Sequence, residues 1–203
     1  MVGDGSAVEF VAGSMRRSLV QGSLQIRPAT LQDFGLLGEL ERRAAQRFLS
    51  VPQATGMSPE QLEETLSTEE LGRSLSEGGL WIAEWDGLPV GFLATHQYGD
   101  SLYIREVDVL QEYGRRGIGK ALIGRAFEYA RRLGLASLFL RTFRDVEWNA
   151  PFYEEIGFRA VEEHDWSEAM IEIVGQEDEW GLVRERRLFM RTCQPVKPPR
   201  RVL

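Results

Sequence analysis

Apolar and polar residues follow two different periods in the first third of the chain. Residues 24–28, Leu-Gln-Ile-Arg-Pro, alternate as a strand does, and a proline ends the run. Thr30 is a residue type that caps helices. Over residues 31–44 the apolar positions recur every three or four residues, which predicts an amphipathic helix. Ser58 followed by proline predicts a second helix over 58–75.

The rest of the chain predicts a sheet with helices on both faces. Asp86-Gly87 is typical of a tight hairpin, and Gly99-Asp100 predicts a turn into a central strand. The predicted elements are strands at 80–85, 90–97 and 102–109, a helix at 119–133, a strand at 136–142, a helix after 148, and strands at 158–161 and 184–192. Three antiparallel neighbours followed by alternating strands and helices predict an α/β fold with a mixed sheet.

A glycine-rich loop joins the central strand to the next helix and is typical of a site for a phosphorylated ligand. Its residues are Gly114, Arg115, Arg116, Gly117, Ile118, Gly119 and Lys120. Small residues expose backbone N–H groups at a helix N-terminus, where unpaired donors and the helix dipole favour anions. The two arginines and the lysine add positive charge, and a guanidinium can hold a phosphate through two parallel hydrogen bonds.

Three interpretations compete for the spacing of this loop. Gly114, Gly119 and Lys120 satisfy the Walker A spacing, but Ala121 stands where Mg²⁺ coordination requires a serine or threonine hydroxyl. A dinucleotide-binding fingerprint requires another order of glycines and an opening strand-helix-strand unit. The third interpretation is a structural turn with arginines facing solvent. Spacing by itself therefore leaves the ligand open.

A second motif lies downstream, where residues 149–158 read Asn-Ala-Pro-Phe-Tyr-Glu-Glu-Ile-Gly-Phe. This N…FYxxxGF segment, after a loop of the form Q/R-x-x-G-x-G/A, resembles the GNAT superfamily of acyl-CoA-dependent N-acetyltransferases. Gly117 and Gly119 match the two small positions of the loop, and Gly114 stands where the family has glutamine or arginine. The resemblance extends over about residues 24–192. It implies a mixed, mostly antiparallel sheet of about seven strands, with the fourth and fifth strands splayed apart.

The same resemblance implies that acetyl-CoA is the cosubstrate and indicates where it binds. Its pyrophosphate would lie on the glycine-rich loop, and a bulge at Val107 to Val109 would free backbone groups for the pantetheine arm. Beyond the loop, the residues implied to contact it are Val107, Asp108, Val109, Asn149 and Phe152. A capping role for the Asn149 side chain at the following helix is the alternative interpretation of that residue.

Acetyl transfer to an amine requires a base and benefits from an acid. A carboxylate can remove the proton of the amine, and Glu106 is the candidate, with Asp108 as the alternative on the same strand face. Both carboxylates could instead only balance Arg105 and the loop arginines. Tyr153 is the tyrosine of the FYxxxGF pattern, which serves the family as general acid, and a phenol is protonated at neutral pH.

Composition and charge exclude several other classes of protein. The net charge of -7 disfavours nucleic acid and anionic membranes as partners, and a reducing cytoplasm suits a chain whose only cysteine is Cys193. We interpret Cys193 as a buried thiol. Two histidines and one cysteine, far apart, give no spacing for a metal site. Dimers are common among GNAT proteins, which leaves a homodimer open.

The expected organisation is one N-acetyltransferase domain at 23–193, preceded by a disordered tail or leader at 1–22 and followed by a disordered tail at 194–203. The acidic segment 162–179 is expected to be a solvated loop with a helical turn. Folded over the acceptor site, it would favour a cationic amine through Glu162, Glu163 and Glu168.

The expected function is acetylation of the primary amine of a small molecule by direct attack on acetyl-CoA. A non-catalytic acyl-CoA sensor and an enzyme that acetylates a protein N-terminus or lysine are the alternatives. A sensor would need the loop and Asn149 but neither the carboxylates nor Tyr153.

Overall fold

The structure is a computed structural model that describes residues 22–192. The expected tails at 1–22 and 194–203 fall outside these residues except for Gly22, and so does Cys193. The strands are β1 (Leu24–Pro28), β2 (Leu80–Trp85), β3 (Leu88–Tyr98), β4 (Ser101–Val109), β5 (Ser137–Phe143), β6 (Phe158–Val161) and β7 (Arg187–Thr192). The helices are α1 (Phe34–Ala45), α2 (Pro52–Thr55), α3 (Thr68–Ser76), α4 (Ile118–Leu133), α5 (Ala150–Glu155) and α6 (Glu168–Glu179).

The seven strands form one sheet in the order β1-β2-β3-β4-β5-β7-β6. Every neighbouring pair is antiparallel except β4 and β5, which are parallel and are connected through α4. Asp86 and Gly87 make the turn between β2 and β3, with φ angles of 52° and 78°. Positive φ at both central residues matches the twist of a two-residue hairpin. The predicted α/β fold, with a mixed and mostly antiparallel seven-stranded sheet, is confirmed.

The fourth and fifth strands separate half-way along their length, as expected. Their pairing runs from Ser101 opposite Ser137 to Ile104 opposite Leu140 and then stops. Strand β4 continues to Val109 beside β3 alone. A gap therefore opens between β4 and β5 at the end where β4 leads into the glycine-rich loop.

A β-bulge lies on β4 two residues earlier than expected. Ala94 of β3 pairs with Glu106, whereas Thr95 pairs with Ile104, so Arg105 is the extra residue. The bulge expected at Val107 to Val109 is therefore wrong. Regular pairing with β3 continues through those residues, whereas Arg105 turns to an ion pair with Glu70 of α3 at 2.9 Å. Arg105 and Glu106 consequently both lie on the α3 side of the sheet.

Helices cover both faces of the sheet. Apolar residues of α4 and α5 pack on one face with alternate strand residues such as Leu93 and Leu140. Leu37 and Leu40 of α1 pack with α3 on the other face. Helix α6 packs on this second face too, in a cluster that includes Tyr103 of β4. Tyr103 pairs with His96 of β3, and His96 Nε2 lies 3.2 Å from the Glu70 carbonyl oxygen of α3, so both side chains are on the α3 face. Within residues 22–192, no helix is both long and apolar enough to cross a membrane.

The helix predicted over 58–75 is wrong in its first half. A short 3₁₀ turn at Gln61–Glu63 is followed by extended backbone, and α3 begins only at Thr68. Ser67 and Glu70 form a capping box, in which each side chain accepts from the other residue's backbone N–H. This reciprocal cap fixes the helix start more strongly than the serine-proline pair upstream.

The segment 162–179 is also better ordered than expected. Its second part is the three-turn helix α6, capped by the Ser167 hydroxyl, which accepts from the Met170 N–H. Met170, Ile173 and Val174 are buried against the sheet. The abundance of acidic residues hides this apolar stripe in the sequence, and the expected solvated loop is therefore wrong for α6.

Candidate functional site

The glycine-rich loop places unpaired backbone donors at the N-terminus of α4. Gly117 caps the helix in the left-handed region, at φ +80°, and the first turn closes with the Ala121 N–H on the Gly117 carbonyl at 3.0 Å. None of the N–H groups of residues 115–120 has an acceptor within the described part of the chain. Six donors at the positive end of a sixteen-residue helix can bind an anion such as a diphosphate.

Two other predicted contact residues lie against this loop. A Cβ added to Gly119 would be 3.7 Å from the Phe152 ring and 3.9 Å from a Val109 methyl group, so both side chains touch the first turn of α4. The structure thus brings the end of β4, the loop and α5 together at one edge of the gap.

The charged residues of the loop are exposed. Arg115 has a left-handed φ of 61°, a conformation that is unfavourable for a residue with a Cβ atom. The Arg116 guanidinium carbon lies 5.2 Å from the Trp85 ring centre and 5.1 Å from the Tyr113 ring centre. Lys120 is also exposed. These cations surround the unpaired N–H groups and can add to their attraction for an anion.

Next to the loop, a cavity of about 470 Å³ occupies the gap between β4 and β5 and extends under α1, α3 and α6. Val107, Asp108, Asn149 and Tyr153 line its end near the loop. Beyond Ile104, β4 has no β5 partner, so backbone groups on that edge are available to an extended ligand, apart from the Val107 N–H, which donates to Glu106 Oε1 at 3.3 Å. The predicted site residues therefore meet around one gap, although the loop itself does not line the cavity.

Three carboxyl groups line one side of the cavity, and we call Glu41, Glu106 and Asp108 the carboxylate cluster. Glu106 and Asp108 pair with Ala94 and Phe92, so they share one face of β4, as alternation predicted. This holds because the bulge at Arg105 lies before both residues.

The environment of the carboxylate cluster favours its neutral forms. Burial raises the pKa of Asp108 well above its usual range, and the charges of Glu106 and Glu41 add to the effect. Burial also raises the pKa of Glu106, against the opposing charges of Arg105 and Arg187. Raised pKa values bring carboxyl groups closer to the range in which they exchange protons near neutral pH.

Glu41 is a candidate residue that the sequence interpretation missed. Its carboxylate accepts from the Leu66 N–H at 3.0 Å, and burial, followed by the charge of Glu106, raises the pKa of Glu41 to about 8. Glu41 stands four residues after Leu37 and three before Ala44, on the buried face of α1. A carboxylate on the apolar face of an amphipathic helix was the available signal.

Tyr153 lies in the first turns of α5, with its ring 5.2 Å from Phe152 and 5.8 Å from Phe158. Burial raises the pKa of Tyr153, and the charges of Glu106 and Asp108 raise it further. The phenol is therefore protonated at neutral pH and can donate a hydrogen bond or a proton into the cavity.

Asn149 precedes α5 and lines the cavity. Asn149 is the N-cap residue of α5, and its carbonyl oxygen accepts from the Tyr153 N–H at 3.1 Å, but its side chain makes no capping hydrogen bond. Of the acidic segment, Gln176 and Glu177 of α6 reach the cavity, whereas Glu162, Glu163 and Glu168 are not among the residues that line it.

Among residues 22–192, no group of three His, Cys, Asp or Glu side chains has the geometry of a metal site.

The comparisons with known proteins agree with this arrangement. The family model described as acetyltransferase (GNAT) family matches residues 41–158, more than half of the chain. The chain therefore belongs to the GNAT family, as its loop and its FYxxxGF segment indicated.

Two curated relatives and one solved structure illustrate the likeness. An uncharacterised N-acetyltransferase of Methanocaldococcus jannaschii is 32% identical over 93 residues, 42% of this chain and 41% of that protein. An amino-acid acetyltransferase of Yersinia pseudotuberculosis is 29% identical over 147 residues, 71% of this chain and 29% of that protein. The chain thus spans less than half of either relative.

The PaiA N-acetyltransferase of Thermoplasma acidophilum, solved in complex with coenzyme A, has a TM-score of 0.62 at 19% identity. The superposition covers 84% of this chain and 98% of that one. At this identity the likeness concerns the fold.

Proposed function

We propose that this chain is an N-acetyltransferase that moves the acetyl group of acetyl-CoA to the primary amine of a small molecule. The observation that carries the proposal is a single gap in the sheet, with unpaired helix N–H groups at one edge and a tyrosine facing carboxyl groups inside it. Family membership and the name of the Yersinia relative, an amino-acid acetyltransferase, support the same reaction class.

The cosubstrate fits the residues at the edge of the gap. Its diphosphate is assigned to the N–H groups of residues 115–120, with Arg115, Arg116 and Lys120 as neighbouring cations. The amide groups of its pantetheine arm are assigned to the free edge of Val107 to Val109. Asn149 and Phe152 lie on the opposite side of the gap and complete the proposed contacts.

The reaction forms a bond between the amine nitrogen and the acetyl carbon and breaks the bond from that carbon to sulfur. The amine must lose a proton to a base, the sulfur must gain one, and an acceptor that arrives as an ammonium ion releases one further proton to solvent. Glu106 is the proposed acceptor of the first proton, because it lines the cavity with a raised pKa. Asp108 and Glu41 lie in the same cluster and can pass that proton on toward solvent.

Tyr153 is the proposed donor of the second proton. Tyr153 lines the cavity and follows Phe152, whose ring lies against the first turn of α4, so a ligand anchored on the loop by its diphosphate can bring its sulfur to Tyr153. Its raised pKa keeps the proton on the phenol until the departing sulfur takes it.

Thermal unfolding with different ligands, followed by a turnover assay, tests the proposal. A ligand at about a hundred times its Kd stabilises by roughly 2.7 kcal/mol, which corresponds to a Tm rise of roughly 5 to 10 °C for a chain of this size. We expect this rise with acetyl-CoA and not with Mg-ATP. Release of free thiol from acetyl-CoA is then measured with a panel of small amines and with peptides bearing a free N-terminus or lysine.

Each outcome of these two assays has a distinct meaning. A Tm rise with Mg-ATP alone would overturn the assignment of the loop. A rise with acetyl-CoA but no thiol release with any amine would favour the sensor. Turnover confined to the peptides would overturn the class of acceptor.

A further inference from the structure

A second charged group lines the same cavity, on the side of α6. Arg141 of β5 and Arg187 of β7 both reach Glu177 of α6, and we call these two residues the arginine pair. Arg141 donates from Nε to Glu177, and Arg187 Nη2 lies 2.9 Å from Glu177 Oε1. The exposed fractions of the Arg141, Arg187 and Glu177 side chains are 1%, 14% and 9%. Two cations are thus buried against one carboxylate.

The arginine pair retains donors that nothing in the described part of the chain satisfies. Arg141 Nη1 and Arg187 Nε are buried and have no hydrogen-bond partner among residues 22–192. An unsatisfied buried donor costs about 1 to 3 kcal/mol, and more when it is charged, so such groups in a folded protein call for a reason. Both residues line the cavity, which makes a ligand group a suitable acceptor.

Opposite charges therefore line different parts of the cavity. The carboxylate cluster lies on the β4 and α1 side, where Arg105 Nη1 is 4.0 Å from Glu106 Oε2, and the arginine pair lies on the α6 side. The charge of Arg187 acts on Glu106, yet no ion pair joins the two in the described part of the chain. A space thus separates the two sides. The arginine pair can bind an anionic group, and the carboxyl oxygens of the carboxylate cluster can accept hydrogen bonds from an ammonium group.

We infer that the acceptor is a zwitterionic amino acid, whose carboxylate binds the guanidinium groups of the arginine pair while its ammonium group faces the carboxylate cluster. This inference rests on the proposed function, because it concerns the acceptor of that reaction. Arg141, Arg187 and Glu177 together carry one net positive charge, which matches the single negative charge of a carboxylate. A guanidinium also matches the planar shape of a carboxylate.

Substrate comparison with the unmodified protein provides the first test. Thiol release from acetyl-CoA is measured with the twenty standard amino acids, with the carboxamide and the decarboxylated amine of each one that reacts, and with phosphoethanolamine. We expect kcat/KM to be about tenfold to a hundredfold higher for the amino acid than for its carboxamide or amine, the usual value of one charge-assisted hydrogen bond.

A matched set of variants provides the second test. In Arg187→Gln the preference for the amino acid over its carboxamide should fall to near one, with the KM for acetyl-CoA unchanged. Arg187→Lys should recover part of the preference. Arg125→Gln, an exposed arginine of α4 that pairs with Glu128, is the control and should keep the full preference. The Arg141→Gln variant removes the more deeply buried cation of the pair. If this variant does not fold, the substrate comparison with the unmodified protein decides whether the acceptor carries a carboxylate.

The results separate this inference from the proposed function. Thiol release with carboxylate-free amines that equals or exceeds release with amino acids would overturn the inference and leave the acetyltransferase proposal standing. A preference for phosphoethanolamine would overturn the carboxylate assignment. Absence of thiol release with every amine, together with no Tm rise on acetyl-CoA, would be a failure of the proposed function itself.

Discussion

The glycine-rich loop and the cavity are neighbours, but they are built in opposite ways. The loop is seven consecutive residues, and its donors are backbone N–H groups that the start of α4 leaves unpaired. The cavity takes its charged side chains from α1, α3, β4, β5, α6 and β7. A site made of backbone depends on local conformation, whereas a site made of side chains depends on how distant elements pack. The loop is therefore suited to a constant ligand and the cavity to a particular acceptor.

The charges in the two regions also differ in their surroundings. The cations of the loop are exposed and screened by solvent, whereas the carboxylate cluster and the arginine pair are largely withdrawn from water. Interactions among exposed charges weaken with salt far more than those of buried ones. The KM for acetyl-CoA is therefore expected to depend on salt more than the preference for the acceptor does.

The largest effect is expected where the two regions meet. Tyr153→Phe should lower kcat about 10²- to 10⁴-fold with little change in the KM for acetyl-CoA, because it removes the proposed proton donor. Steady-state thiol release measures both constants. Tyr129→Phe is the matched control, since that hydroxyl donates to the Glu77 carbonyl away from the cavity. A kcat for Tyr153→Phe that equals that of the control would remove Tyr153 from the mechanism.

The next effect concerns the carboxylate cluster. Glu106→Gln should lower kcat about 10²-fold and abolish the rise of kcat/KM with pH, because the ionised form of the base is the active one. The pH profile of thiol release is the measurement, with the exposed Glu155→Gln as control. Persistence of the rising limb would transfer the role of base to Asp108 or Glu41.

A smaller effect on catalysis is expected from the loop. Gly117 at the start of α4 and Gly124 within α4 provide a matched pair of substitutions. Gly117→Ala places a side chain at φ +80° and should raise the KM for acetyl-CoA about tenfold, since strain of about 1 to 2 kcal/mol disturbs the helix start. Gly124→Ala lies within α4, has open space around the new Cβ, and should stabilise the protein by roughly 0.5 to 1 kcal/mol. Equal KM values in both variants would contradict the assignment of the loop.

The smallest effect is on stability. Burial raises the pKa of Glu41 from 4.5 to about 8, so between these values the folded protein binds more protons than the unfolded chain. The free energy of unfolding should therefore fall as pH rises from 5 to 8. Glu41→Gln should reduce that slope by at most about 1.4 kcal/mol per pH unit, the linkage for one proton, whereas the exposed Glu39→Gln should not. Urea unfolding at several pH values measures this slope. If Glu41 does not have a raised pKa, the slope of unfolding free energy against pH will be the same in Glu41→Gln as in the unmodified protein.

Much of the fold was predictable because it depends on neighbours in sequence. The turn at Asp86-Gly87, the strand at Leu24–Pro28 and the helix at Ile118–Leu133 lie where periodicity and turn residues placed them. The wrong predictions share a cause. Helix α3 begins at its capping box rather than at Ser58, and the acidic composition of residues 162–179 conceals the stripe with which α6 packs.

By itself the sequence determined the family, the order of the elements and the position of the glycine-rich loop, because each depends on short motifs or local periodicity. Only the tertiary structure decided the bulge at Arg105, the pairing of Arg141 with Glu177 across 36 positions, and the place of Glu41 beside Glu106. Which distant groups share a cavity, and how far water is excluded from them, follows from packing and leaves no periodic trace along the chain. The proposed chemistry therefore rests on local sequence for its cosubstrate and on the folded arrangement for its acceptor.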